Sequence, residues 1–204
     1  AMPPPLVESS PAASAFLDER AEDSPPAPRE LRPIANTPDI VRWGSGEIAI
    51  EAFAFDNGAP GQGVFEHGGW MHLETQLRVE RELEGARAGF GFAFRNTKGL
   101  DIIAYTTYEA GLRFPERLYP GQTIRLAFEL RNILEPGDYA LVLSAEAYHS
   151  ATRRNYFDFI ENSLIFKVVS QKQIFSTVLP PVRPRRFEIS PADPGQLAES
   201  PSQQ

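Results

Sequence analysis

Residues 71–79 alternate with a period of two. Met71, Leu73, Thr75, Leu77 and Val79 fall on one side, and His72, Glu74, Gln76, Arg78 and Glu80 on the other. Successive side chains of an extended chain point to opposite faces, so this segment reads as a strand with one buried and one wet face. The pattern recurs along the chain. Ile48, Ile50, Ala52 and Ala54 alternate with Phe53 and Phe55, ending at Asp56-Asn57-Gly58 and a loop of five glycines and a proline as far as Gly69. Phe90, Phe92 and Phe94 alternate with Gly89, Gly91, Ala93 and Arg95, and Asn96-Thr97-Lys98-Gly99 then predicts a hairpin turn into a fourth strand, Leu100 to Tyr105. A fifth strand sets Ile124, Leu126, Phe128 and Leu130 against Thr123, Arg125, Ala127, Glu129 and Arg131. A sixth sets Tyr139, Leu141, Leu143 and Ala145 against Ser144, Glu146 and Tyr148. A seventh begins near Tyr156 and resumes from Ser163 to Val169, and a short eighth covers Ile174 to Leu179. No segment reads as a helix of ten residues. About eight short strands separated by Gly/Pro turns predict an all-β fold, an antiparallel β-sandwich of Ig-like or jelly-roll type.

Proline sets the expected boundaries. Nine of the 19 prolines lie in residues 1–42 and six in 180–204. The N-terminal stretch mixes Pro, Ala, Ser and Glu and cannot bury enough apolar area to offset its ordering entropy. Residues 1–42 are therefore expected to be a flexible linker, residues 43–179 the sandwich, and residues 180–204 a disordered tail. Ala15 to Arg20 reads as part of the flexible linker, with one weak helical turn or a docking peptide as the alternatives. The opening Ala1-Met2-Pro3-Pro4-Pro5 has neither the basic nor the apolar region of a signal peptide, and Ala before Met suggests a fragment.

Composition removes several function classes. A net charge of −7 does not suit a nucleic-acid platform, which presents a basic patch. No Cys is present, so disulfides, thiolate chemistry and cysteine-ligated metals are excluded. There are three histidines, His67, His72 and His149, and no H-E-x-x-H. No apolar run approaches 18 residues. No P-loop and no G-x-S-x-G elbow occur. The loop from Asp56 to Glu66 does not follow the EF-hand spacing. Carboxylates such as Glu74 and Glu146 are plentiful, but a catalytic pair is defined by separation in space and not by sequence. No cofactor or metal is expected, and no enzymatic activity.

What remains is a binding face. In a sandwich of this strand order the third, fourth, sixth and seventh strands share one sheet. Its outward positions would include Arg95, Asp101, Tyr105, Ser144, Glu146, Tyr148 and Asp158, flanked by a loop bearing His149, Arg153, Arg154 and Asn155. Aromatic planes beside carboxylates, arginines and small residues suit a sugar, whose C–H faces stack and whose hydroxyls pair with polar groups. Arg95 or Arg153 would pair with an anionic substituent, if the sugar carries one. The same residues also fit a plain polar exterior, which needs no ligand.

Seven segments, in order, carry a resemblance. They are Trp43 to Ile50, Gly69 to Leu73, Ala88 to Asn96, Lys98 to Asp101, Tyr119 to Gln122, Leu134 to Tyr139 and Asn162 to Val168. Together they span residues 43–169 and resemble the C-terminal domain of Wzt-type proteins, the nucleotide-binding subunits of ABC exporters of bacterial O-antigen polysaccharide. The resemblance implies an Ig-like, non-catalytic carbohydrate-binding domain. It would recognise the modified non-reducing end of the finished glycan and so couple chain termination to export. It also implies an upstream ATPase domain that lies outside this chain and links it to a transmembrane exporter subunit, at the cytoplasmic face of the inner membrane. A homodimer that exchanges a C-terminal strand is implied too, and Ile174 to Leu179 lies where such a strand would be. The resemblance assigns no site residue, since these residues vary with the glycan. An Ig-like structural or adhesive surface module is the alternative on pattern alone.

Overall fold

The structure is a computed structural model that describes residues 29–36, 40–58, 63–149, 153–171, 173 and 182–190. Thirteen strands lie among these residues: β1 (Arg32–Pro33), β2 (Val41–Trp43), β3 (Ile48–Asp56), β4 (Val64–Glu66), β5 (Trp70–Val79), β6 (Leu83–Glu84), β7 (Ala88–Asn96), β8 (Asp101–Thr106), β9 (Arg117–Leu118), β10 (Thr123–Arg131), β11 (Gly137–Tyr148), β12 (Arg154–Val169) and β13 (Val182–Ser190). The helical segments among the described residues are two 3₁₀ turns, Ile34–Asn36 and Gly85–Arg87. One sheet has the order β1-β3-β5-β10-β13 and the other β2-β12-β11-β7-β8, with β6 and β9 forming a small ribbon. Pairing is antiparallel except for β4, which runs parallel to β12. The expected all-β sandwich is present, and the third, fourth, sixth and seventh predicted strands (β7, β8, β11 and β12) share one sheet as anticipated.

The core forms where the apolar sides of the two sheets meet. Phe90 and Phe92 of β7 lie 5.8 and 5.5 Å from Phe128 of β10, and Phe94 lies 5.4 Å from Phe55 of β3 and 5.2 Å from Phe166 of β12. All the predicted inward positions of β5 and β10 are buried. The β7–β8 hairpin closes as its sequence requires. The Asn96 side chain accepts hydrogen bonds from the backbone N–H of Lys98 and Leu100, and Gly99 takes the left-handed conformation (φ 79°).

The second predicted strand, β5, departs from its expected wet face, because His72 and Glu74 are buried. The segment that leads into β1 crosses this side. Arg29 donates its backbone N–H to Glu74 Oε2, and its guanidinium pairs with Asp56 at 3.0 Å. His72 Nδ1 stands 3.2 Å from Glu129 Oε1 on the neighbouring strand.

The packed region also extends beyond residues 43–179 on both sides, which corrects the expected boundaries. β1 pairs with β3, and Ile34 is buried in the core. β13 lies in the expected tail yet pairs with β10 from Thr123 to Leu130, with a register shift at Ala127/Phe128 beside Pro184. A proline lacks the N–H that a ladder needs, and an edge strand with a bulge accommodates it. Phe187 then packs 5.6 Å from Phe114. The predicted strand Ile174 to Leu179 and the segment Ala15 to Arg20 lie outside the described residues.

One buried carboxylate ties the sheets together. Asp158 of β12, expected to face outward, turns inward instead. Its Oδ1 accepts from Arg42 Nε at 2.8 Å, and its Oδ2 accepts from Arg42 Nη2 and from the backbone N–H of Ile50 in the opposite sheet, both at 2.7 Å. β3 shifts register just after Ile50, which leaves that N–H in need of a partner outside its own ladder. Removing the carboxylate strands a buried donor and half of an ion pair. Asp158→Ala should therefore lower stability by about 2–4 kcal/mol. The check is urea unfolding, where the midpoint should fall with an unchanged slope.

Candidate functional site

The outer face of the β2-β12-β11-β7-β8 sheet is shaped by what β7 leaves out. With Phe90, Phe92 and Phe94 turned inward, its outward residues are Gly89, Gly91 and Ala93. A Cβ on Gly91 would stand 2.8 Å from Ser144 Oγ and 3.0 Å from Glu146 Oε1. One on Gly89 would stand 2.6 Å from Thr107 Oγ1 and 2.8 Å from Tyr148 Cε2. The outward side chains of β11 thus lie down across the glycines of β7, in space that any other residue would fill. Ser144 Oγ donates to Glu146 Oε1, and Arg154 Nη1 donates to Glu146 Oε2 at 3.4 Å. Above them is a shallow hollow of about 50 Å³, bordered by Ala93, Ser144, Glu146, Arg154, Tyr156 and Phe159.

Aromatic rings flank this hollow. Phe159 of β12 pairs in register with Trp43 of β2, and their rings stack at 4.7 Å and 25°. Tyr156 meets both edge-on, at 5.1 Å from Trp43 and 4.8 Å from Phe159. Trp43 remains 47% exposed, enough to leave part of its ring surface for a ligand. At the far end of β11, Tyr148 stacks on Tyr108 at 4.8 Å, and the Arg113 guanidinium lies 4.5 Å above the Tyr108 ring.

The charges of the face are largely paired with one another. Arg95 donates from Nε to Asp101 Oδ1 at 2.7 Å, from Nη2 to Asp101 Oδ2, and from Nη1 to Glu161 Oε2 at 3.3 Å. The bond to Asp101 raises the pKa of the guanidinium. Burial raises the phenol pKa of Tyr148, and the charge of Glu146 adds to it. Tyr156 shifts the same way for the same two reasons. Burial alone would lower the pKa of Arg154, but Glu146, Tyr156 and Tyr148 together outweigh it and the net shift is upward.

The structure brings Arg95, Asp101, Ser144, Glu146 and Tyr148 of the predicted set onto one face. Tyr105 is not among them. β8 shifts register against β7 between Phe94 and Arg95, so Tyr105 pairs with Phe92 and points inward, 5.7 Å from Phe92 and 5.8 Å from Phe128. There burial first and the charge of Glu109 second push its phenol up to about 12. His149 donates its backbone N–H to the Arg153 carbonyl, closing the β11–β12 end. Asn155 is exposed but pairs with Ala147, so its neighbours Arg154 and Tyr156 hold the outward positions. The residues of the face that sequence reasoning missed are Trp43, Tyr156 and Phe159; Arg154, expected in the flanking loop, stands on the strand itself, opposite Tyr148. A register shift at Ala145/Glu146 sets Phe159 opposite Ser144 and Tyr156 opposite Glu146, so both rings face outward despite their odd spacing. A parity count along β12 does not reveal this.

The fold is a β-sandwich, and this face is its candidate binding surface. The family model described as the Wzt C-terminal domain matches residues 39–179, and the chain belongs to that family. With the family comes its general role, carbohydrate binding in O-antigen export by an ABC transporter. The solved structure titled "Crystal structure of the C-terminal domain of wzt" is similar in fold, with a TM-score of 0.58 at 18% identity over 70% of this chain and 85% of that one. Among curated proteins none matches. No helix among the described residues is long and apolar enough to cross a membrane.

The tyrosine shifts carry a pH signature. A phenol whose folded pKa lies above its unfolded value near 10 holds its proton more tightly in the fold. Its contribution to stability is full below about pH 10 and is lost as pH rises through the folded value. In an ultraviolet phenolate titration of the native chain, at least Tyr105 and Tyr148 of the six tyrosines should remain protonated at about pH 11. Stability should decline over the same range. Ionisation of all six near pH 10 in the folded chain would contradict the burial of these rings.

Proposed function

We propose that the outer face of the β2-β12-β11-β7-β8 sheet binds the non-reducing end of an O-antigen polysaccharide without cleaving it. The observation that carries this reading is the exposed Trp43–Phe159 stack beside the buried Ser144–Glu146 row. The apolar face of a terminal sugar ring lies against the aromatic surface, and its hydroxyls reach polar groups of the hollow. A carboxylate has about four lone-pair positions, so Glu146 retains accepting capacity after bonding Ser144 and Arg154. Asp101 accepts and Arg154 donates at the margin. Arg95 is committed to Asp101 and Glu161, so a neutral end group suits this face better than an anionic one.

In the cell, this recognition couples completion of the glycan to export. The chain works as part of the nucleotide-binding subunit at the cytoplasmic face of the inner membrane, with an ATPase domain and a transmembrane partner beyond it. It acts as a homodimer. The sheet edge at β13 is where a C-terminal strand of a second copy would fit, added beside β13 or exchanged for it. Affinity for a single chain end is expected in the micromolar to millimolar range, since sugar hydroxyls exchange water for similar protein partners, and weak binding permits release.

Calorimetry with end-capped polysaccharide fragments from the source organism tests the reading. Trp43→Ala should weaken binding by about 1–3 kcal/mol, as loss of an aromatic anchor does. Glu146→Gln should weaken it in the same sense. Glu80→Gln, beyond the end of β5 in the other sheet, should have no effect. Equal binding by wild type and Trp43→Ala would exclude this face. Equal binding of capped and uncapped fragments would exclude terminus recognition while leaving glycan binding intact.

A further inference from the structure

We infer that the same face carries a second carbohydrate subsite, on the far side of the Arg95 bridge from Glu146, which holds an interior residue of a neutral glycan behind its terminal one. This rests on the reading above, that the face binds a chain end. A groove of about 350 Å³ lies there, lined among others by Asn96, Asp138, Ala140, Glu161, Asn162 and Ile165. It is larger than the hollow over Glu146, and it continues the same outward row of β11. Glu146, Ser144, Val142, Ala140 and Asp138 follow one another at two-residue intervals, so the two concavities are separated by about 7 Å of strand between Val142 and Ala140.

The groove is built by a distortion in β12. Leu143 pairs with Ile160 and Leu141 with Leu164, which leaves Glu161, Asn162 and Ser163 opposite the single residue Val142. Asn162 adopts a left-handed backbone (φ 53°), the only non-glycine residue among the described ones with positive φ. Ser163 turns inward and donates its hydroxyl to the Leu141 carbonyl at 2.8 Å. Bulges of this kind re-aim side chains next to binding sites, and a strained residue held in place by its surroundings is where such a site is to be sought. Beside this distortion Glu161 accepts from Arg95 Nη1 at 3.3 Å, and Asn162 lines the groove with Ala140. Ala140 forms a floor too short to obstruct a ring.

The lining states its chemistry. An amide both donates and accepts, as a sugar hydroxyl does, and Asp138 and Glu161 accept further hydroxyls. Two carboxylates with one guanidinium disfavour an anionic residue. Ile165, 62% exposed at the rim, offers an apolar surface to the C–H edge of a ring. The groove has no exposed aromatic platform comparable to Trp43, so it adds to the grip of the chain end and does not replace it.

Calorimetry with two capped fragments of the organism's own O-polysaccharide tests this: the terminal monosaccharide and a terminal tetrasaccharide. For the wild type the tetrasaccharide should bind about tenfold tighter, equivalent to about 1.4 kcal/mol. Asn162→Gly keeps the left-handed backbone and removes the amide, and Ala140→Phe fills the groove. Each should reduce the advantage of the tetrasaccharide to about twofold or less and leave monosaccharide affinity unchanged. A wild type that binds both fragments equally would overturn the subsite while sparing the terminal site. So would variants that keep the full tenfold ratio. A wild type that binds neither fragment would overturn the glycan-binding face and the subsite together.

Discussion

Strand β7 imposes the constraint on which the rest depends. Every second residue from Phe90 to Phe94 is a phenylalanine, and the residues between are glycine or alanine. The rings supply the centre of the core against Phe55, Phe128 and Phe166. The missing side chains supply the depression on the other face, into which Ser144, Glu146 and Tyr148 settle. Core and candidate site are thus two sides of one alternation. A slip of one residue in register would turn the rings to solvent and the glycines to the core, and would abolish both at once.

The second organising feature is the pairing of charges around that depression. Arg95 holds Asp101 and Glu161, Arg154 holds Glu146, and behind the aromatic cluster Arg42 holds Asp158. The last pair does more than join the sheets. Arg42 and Trp43 are neighbours on β2, a strand of three residues, so fixing Arg42 also fixes the indole that stacks on Phe159. A face whose side chains are already held by one another loses little conformational freedom when a ligand arrives. That lowers the ordering cost of binding.

Period-two patterning carried most of the architecture. The strands, the buried faces of β5 and β10, and the grouping of β7, β8, β11 and β12 were legible because alternation is local and each turn has its own chemistry. The outward placement of Ser144, Glu146 and Tyr148 followed from the same count. The count failed where a strand bulges. Tyr105 turned inward after the shift at Phe94/Arg95, Asp158 turned inward beside Phe159, and Tyr156 and Phe159 both came out to the surface. A bulge depends on which strand lies alongside, and that information is not local. The pairing of Arg95 with two carboxylates was hidden for the same reason, since Glu161 comes from a strand two places away. The strand at β13 was concealed by its proline and arginines, which suit an edge as well as they suit a tail.

Recognition is proposed to rest on a glycan end lying on the outer face of the β2-β12-β11-β7-β8 sheet. A crystal structure of the chain with an end-capped fragment of its own polysaccharide tests it most directly. The terminal ring should lie against Trp43, with hydroxyls within hydrogen-bonding distance of Glu146 or Arg154. A fragment bound on the β1-β3-β5-β10-β13 sheet, or at a sheet edge away from Trp43, would contradict it.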